Sequence, residues 1–150
     1  MRNEHVSKAS VTIQAAVPLV WDALVNPEKI KQYMLGSDAE SDWRVGSEIT
    51  WSGVWQGKAY RDKGVILRLE PNKLLEYSHY SPLSGKPDDP ANYHTVTIEL
   101  ADQGEVTLVA LSQDNNASEK EQDGTTRNWE TILQGLRDLL ERKPETLQKV

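Results

Sequence analysis

NWETILQGLRDLLERK, residues Asn128 to Lys143, spaces Trp129, Ile132, Leu133, Leu136, Leu139 and Leu140 three and four positions apart. That is the repeat of a helix with one buried face, and Glu130, Arg137, Asp138, Glu141 and Arg142 occupy the other side. Followed upstream in steps of four, three and four, the same face carries Thr125, Gln122 and Ser118. The apolar stripe turns polar at its N-terminal end. Two readings account for the change: the helix starts late or runs past the core edge, or its upstream half, entered from Ser118, lines a mixed, partly polar pocket.

A helix with one apolar face needs a surface to bury it against, and the preceding chain supplies strands. Ser7 to Ala15 alternates Ala9, Val11, Ile13 and Ala15 with polar residues, the pattern of a half-buried strand. Pro18 opens a short helix, Leu19 to Val25, and Asn26 caps a second, Glu28 to Tyr33. Turn signals at Gly46, Gly53, Gly57, Gly64, Pro71 with Asn72, and Asp102 to Gly104 then divide the chain. Between them lie strands at Ser47 to Val54, Lys58 to Glu70, Leu74 to Tyr80, Tyr93 to Ala101 and Glu105 to Asp114. Alternation assigns an inner face to Ile49 and Trp51; to Val65, Leu67 and Leu69; to Leu75, Tyr77 and His79; to His94, Val96, Ile98 and Leu100; and to Val109, Leu111 and Gln113. Short turns make the neighbours antiparallel, while the Ser81 to Asn92 loop, with its three prolines, should be irregular and exposed. Six strands and one long amphipathic helix give an α+β architecture of two layers.

Length and composition bound the rest. The 150 residues suit one domain with a substantial core, and with no cysteine there is no disulfide, no catalytic thiolate and no zinc site built on Cys. Neither a signal-peptide-like apolar stretch in MRNEHVSKAS nor a run of about 18 apolar residues is present, so a cytoplasmic protein without membrane insertion is expected. The net charge of −6, with Lys58, Arg61, Lys63 and Arg68 interleaved among acids, argues against nucleic acid as a partner. Phe is absent while Trp and Tyr number five each, so buried aromatic bulk brings indole N–H and hydroxyl groups that need partners.

The runs AAVPLVWDALVNPEKIKQYM, WRVGSEITW and GVILRLEPNKLLEYSH, the Asp102 to Gly104 turn into VTLVALSQ, and the Trp129 helix together resemble one family. It is the activator-of-Hsp90-ATPase homologue (AHSA1-like) family of the START/Bet v 1-like superfamily. The resemblance covers about residues 8 to 142 and rests on Trp21, Pro27, Gly46, Gly64, Pro71 and Trp129 in order. It implies a helix-grip fold: a curved antiparallel sheet of six to seven strands wrapped around the long C-terminal helix, with two short helices after the first strand and a cavity between. Many members of the superfamily hold small hydrophobic molecules there, and some are cyclases or aromatases. The family has no shared catalytic motif to carry over. This chain departs from its relatives in the QDGTTR run before Asn128 and Trp129, and in having His79 where many relatives carry an aromatic residue.

Chemical signatures are few: no HExxH, Walker loop, GxSxG or GxGxxG occurs, and no ligand spacing suggests a metal or cofactor. Asp88 and Asp89 read as turn formers. Of three histidines, His5 falls in a terminus expected to fray, which leaves His79 and His94 as the weak catalytic candidates. One helix cannot cover a curved six-stranded sheet, so some inner surface must meet a lid, a partner or a ligand. The expected ligand-binding set is Trp51, Tyr77, His79, Val96, Gln113, Thr125, Trp129 and Leu133, rimmed by Tyr33, Met34 and the loop after Tyr80. The leading function is noncovalent binding of a small hydrophobic or aromatic molecule. A cyclase or hydratase using a pocket His is the first alternative, and a chaperone-regulating module, suggested by the family's name, the second. A homodimer or a chaperone stays open as a macromolecular partner.

Overall fold

The computed structural model describes residues 5–141, so Arg142 and Lys143 of the terminal stretch lie outside the described residues. Ten principal elements follow one another: β1 (Ser7–Ile13), α1 (Val17–Val25), α2 (Pro27–Tyr33), β2 (Asp38–Ser41), β3 (Glu48–Trp55), β4 (Lys58–Glu70), β5 (Leu74–His79), β6 (His94–Asp102), β7 (Thr107–Gln113) and α3 (Glu119–Leu140). The strands form one antiparallel sheet in the order β1-β7-β6-β5-β4-β3-β2. The first strand therefore closes against the last. With α1 and α2 following β1 and the curved sheet holding α3, this is the helix-grip fold.

The local reasons are legible. Pro18 stands in the first turn of α1, and Asn26 Oδ1 accepts from Glu28 N at 3.0 Å to cap α2. The β3 to β4 hairpin turns through Gln56 and Gly57, both at positive φ. That two-residue geometry matches the twist of paired strands. Ser118 caps α3: its Oγ accepts from Glu121 N at 3.1 Å, while Glu121 Oε2 accepts from Ala117 N at 2.6 Å. Two donors of the helix entry are thereby satisfied reciprocally. The helix does not start late.

Two strand expectations need correction. A seventh strand, β2, pairs Asp38–Ser41 with β3; the sequence DAES is short and polar, so no alternation marks it, and its partner supplies the ladder. On β4 the inner face is Ile66, fully buried, whereas Val65 and Leu67 are each 39% exposed. The register with β5 shifts between Ile66 and Arg68, so Leu67 is an inserted residue and Leu69 returns to the core side. An extra residue in a strand reverses every side assigned by alternation before it.

Beside that bulge, Gly64 approaches β5 so closely that an added Cβ would stand 1.7 Å from the Ser78 carbonyl oxygen. The amide of Val65 is met by Ser78 Oγ at 3.0 Å instead of a ladder carbonyl. Only a residue without a side chain fits there. The concave side of the curved sheet takes α3.

The core runs between that concave side and the last three turns of α3. Ile13, Val20, Ile66, Val109 and Leu136 are fully buried, with Ile30, Leu75, Ile98, Leu111 and Leu133 around them. Both ends of α3 are tied to β1. Ser7 Oγ donates to Gln122 O at 2.8 Å and Gln122 Nε2 donates to Val6 O at 2.9 Å at one end; Glu141 Oε2 accepts from Gln14 N at 2.8 Å at the other. His5, expected in a frayed terminus, has its carbonyl bonded by the backbone and side chain of Asn116. No helix of the described residues is long and apolar enough to cross a membrane.

Candidate functional site

The core does not fill the whole grip. Between the N-terminal half of α3 and the ends of β3, β4, β5 and β6 lies a cavity of about 290 Å³. Its floor is Trp51, Tyr77 and Val96 from β3, β5 and β6, and its roof is Thr125, Asn128, Trp129 and Ile132 from α3. Spacings of three and four along α3 put these side chains on one face over it.

The wall is set by aromatic packing and by a few fixed polar bonds. Trp51 lies 5.0 Å from the Tyr77 ring and 5.1 Å from the His79 ring, tilted against the first and edge-on to the second. Trp129 Nε1 donates to Gln113 Oε1 at 2.7 Å, both residues being buried. This bond fixes the indole and orients the amide. Tyr60 rests on Gly53 and shares a hydrogen bond of 2.6 Å with Ser37 Oγ. Burial pushes the Tyr77 hydroxyl well above the ordinary phenol range, so at neutral pH it keeps its proton.

The chemistry of the wall concentrates at Asp62 and His79. Asp62 Oδ2 meets His79 Nε2 at 2.9 Å, the carboxylate side chain 16% and the imidazole 27% exposed. An ionised carboxylate can only accept, so Nε2 carries the proton and the lone pair of a neutral imidazole sits on Nδ1. Asp62 Oδ1 is buried and has no hydrogen-bond partner among the described residues. Behind His79, His94 lies 6.3 Å away ring to ring and donates from Nδ1 to the Asp114 carbonyl at 2.8 Å. Burial lowers its pKa, which keeps the ring neutral.

Seven of the eight residues expected to bind a ligand stand on this one cavity: Trp51, Tyr77, His79, Val96, Gln113, Thr125 and Trp129. Leu133 does not. It faces a crevice of about 30 Å³ deeper in the core, one helical position round from the roof. His94 backs the wall without lining it, and Gln122 is committed to β1. Tyr93, part of the aromatic set, stacks on Tyr80 at 5.2 Å and anchors the loop through Asp88, to which Lys63 is also paired. That loop is exposed, as expected, but it is held by two short 3₁₀ turns, and its Ser81 and Leu83 reach the mouth.

Asp62 was not expected on the wall. The signal was present in its alternation with Tyr60, Gly64 and Ile66, but a face assigned from Val65 and Leu67 turns it outward. Around the mouth, Leu35, Val54, Trp55 and Leu83 are exposed apolar side chains, and Leu35 holds a positive φ of 57°. Among the described residues no group of three His, Asp or Glu side chains could hold a metal ion.

Residues 14–141 match the family described as Activator of Hsp90 ATPase homolog 1-like protein. The chain belongs to that family. A Cytophaga hutchinsonii protein of known solution structure, ChR145, is 47% identical over 100% of both chains with a TM-score of 0.82. More distant solved structures share the fold. A Mesorhizobium loti protein is 22% identical over 92% of this chain and 98% of its own, TM-score 0.75. The Aha1 dimer from Colwellia psychrerythraea is 19% identical over 91% and 96%, TM-score 0.70. A comparison with curated proteins finds no match. Membership in the activator-homologue family agrees with the grip of sheet on helix.

Proposed function

We propose that this protein binds a small hydrophobic or aromatic molecule, without covalent chemistry, in the cavity between α3 and the sheet. The observation that carries the reading is the cavity itself, walled by Trp51, Tyr77 and Trp129 and fitted with polar groups whose own partners hold them still. Such a site removes an apolar ligand from water and orients it by a few directional contacts. The whole chain acts as one ligand-binding domain, and a cytoplasmic location suits it. Quenching of the intrinsic tryptophan emission by a panel of aromatic and lipid-like compounds tests this. Saturable quenching that is lost in Trp51→Ala is expected; a panel with no saturable member would remove the proposal.

One observation favours a second reading, an enzyme of cyclase or hydratase type. His79 stands on the cavity wall with Asp62 holding its Nε2, the arrangement a general base needs. In this reading His79 Nδ1 takes a proton from the bound molecule and returns it to the product, with the protonated Tyr77 hydroxyl as a donor. Mass spectrometry of polyketide-like compounds incubated with the protein is the test. Conversion by the native chain and not by His79→Gln would establish it; compounds bound and recovered unchanged would exclude it.

A chaperone partner is supported by the family description, and a homodimer by the dimeric Colwellia relative. An unchanged ATPase rate of a purified Hsp90-type chaperone, and a monomer by light scattering, would remove them.

A further inference from the structure

We infer that the cavity selects a ligand carrying a cationic amine and rejects carboxylates; this deepens the ligand-binding reading above and rests on it. The argument is one of charge and surface. Among the described residues no lysine or arginine lines the cavity, while Asp62 does. Its carboxylate is largely buried, has His79 Nε2 as its hydrogen-bond partner through Oδ2, and has an Oδ1 with none. A carboxylate so poorly solvated keeps a field that water does not screen.

Of the two cations beside Asp62 in the chain, neither Arg61 nor Lys63 lines the cavity, and Lys63 pairs with Asp88 on the loop. Among the described residues Asp62 is the one acidic side chain on the wall, and no lysine or arginine there offsets it. His94 adds no positive charge, since burial keeps it neutral. Aromatic side chains make up much of the remaining wall: Trp51, Trp55, Tyr60, Tyr77 and Trp129. Aromatic faces present negative potential to a cation, so the apolar wall and the carboxylate favour the same ligand charge. A carboxylate ligand would meet Asp62 and no compensating donor of positive charge.

The test uses three probes of matched size, phenethylamine, phenethyl alcohol and phenylacetate, titrated at about pH 8, where an aliphatic amine is protonated. Binding is followed by NMR at the indole N–H signals of Trp51 and Trp129. The ammonium should bind about tenfold tighter than the alcohol, and phenylacetate most weakly. Asp62→Asn should abolish the preference, read as the ratio of the ammonium's affinity to the alcohol's within the variant itself. Equal affinities for ammonium and alcohol, tighter binding of phenylacetate, or a preference that survives Asp62→Asn would each overturn the inference while leaving the cavity a ligand site. If none of the three gives a saturable shift, the ligand-binding reading falls with it. The native-chain series decides even if the variant does not fold.

Discussion

The two halves of α3 belong to the same helix and do opposite work. Its C-terminal half presses Ile132, Leu133 and Leu136 into a solid core against β1, β7 and α2, and a crevice of about 30 Å³ is all the space left there. Its N-terminal half stands over a cavity some tenfold larger, with Thr125 and Asn128 half-buried or exposed and Trp129 at the boundary. Periodicity is continuous across both. What changes is the curved sheet beneath, so the same spacing of side chains meets packing at one end and open space at the other. A helix can serve as core and as roof at once when its partner is curved.

That division can be broken most forcefully at the solid end. Leu136→Ala empties a fully buried site and should cost about 3 to 5 kcal/mol in urea unfolding, since the surrounding elements cannot collapse on it. A loss no larger than that of an exposed substitution would mean that the core lies elsewhere. At the boundary, Trp129→Phe removes the indole donor and strands Gln113 Oε1; about 1 to 3 kcal/mol is expected, together with a changed ligand affinity. If stability falls and affinity does not, Trp129 belongs wholly to the core.

A smaller effect should appear at the hollow end as a pH dependence. Burial holds the His94 pKa below its ordinary 6.5, so below that pH the unfolded chain takes up a proton before the folded one does. Stability is then lost as pH falls from 6.5 toward the lowered folded value. His94→Gln should flatten that part of the stability curve; parallel curves for variant and native chain would contradict it. Smallest of all, Thr125→Val should move the melting free energy by less than about 0.5 kcal/mol while altering the ranking of bound compounds. Equal destabilisation by Thr125→Val and Leu136→Ala would erase the distinction between the halves.

Much of this was legible in the chain. The stripe from Trp129 to Leu140, the Asn26 and Ser118 caps, and the alternation in β5, β6 and β7 are local patterns, repeated by neighbouring residues whatever lies opposite. They predict the elements and the two layers; five of the cavity's residues follow because alternation decides which strand side chains share a face, and Thr125 and Trp129 follow from helical spacing. The polar residues upstream of Trp129 left two readings open; α3 does not start late, and of the three Thr125 lines the cavity, Gln122 bonds the β1 end and Ser118 caps the helix.

Local pattern fails where a residue's place depends on a partner strand. β2 is a strand because β3 offers it a free edge, and nothing in DAES says so. Leu67 is an inserted residue because β5 pairs Tyr77 with Ile66 and Glu76 with Arg68, and that insertion, not composition, turns Val65 outward and Asp62 inward. From residue order alone one obtains the helices, most strands and the curved-sheet family. The depth of the cavity, the exclusion of Leu133 from it, and the meeting of Asp62 with His79 at 2.9 Å were decided by tertiary structure. Hydrophobic periodicity records which side faces inward; how far apart two inward surfaces stand is fixed by bulges and close backbone approaches between residues distant in sequence.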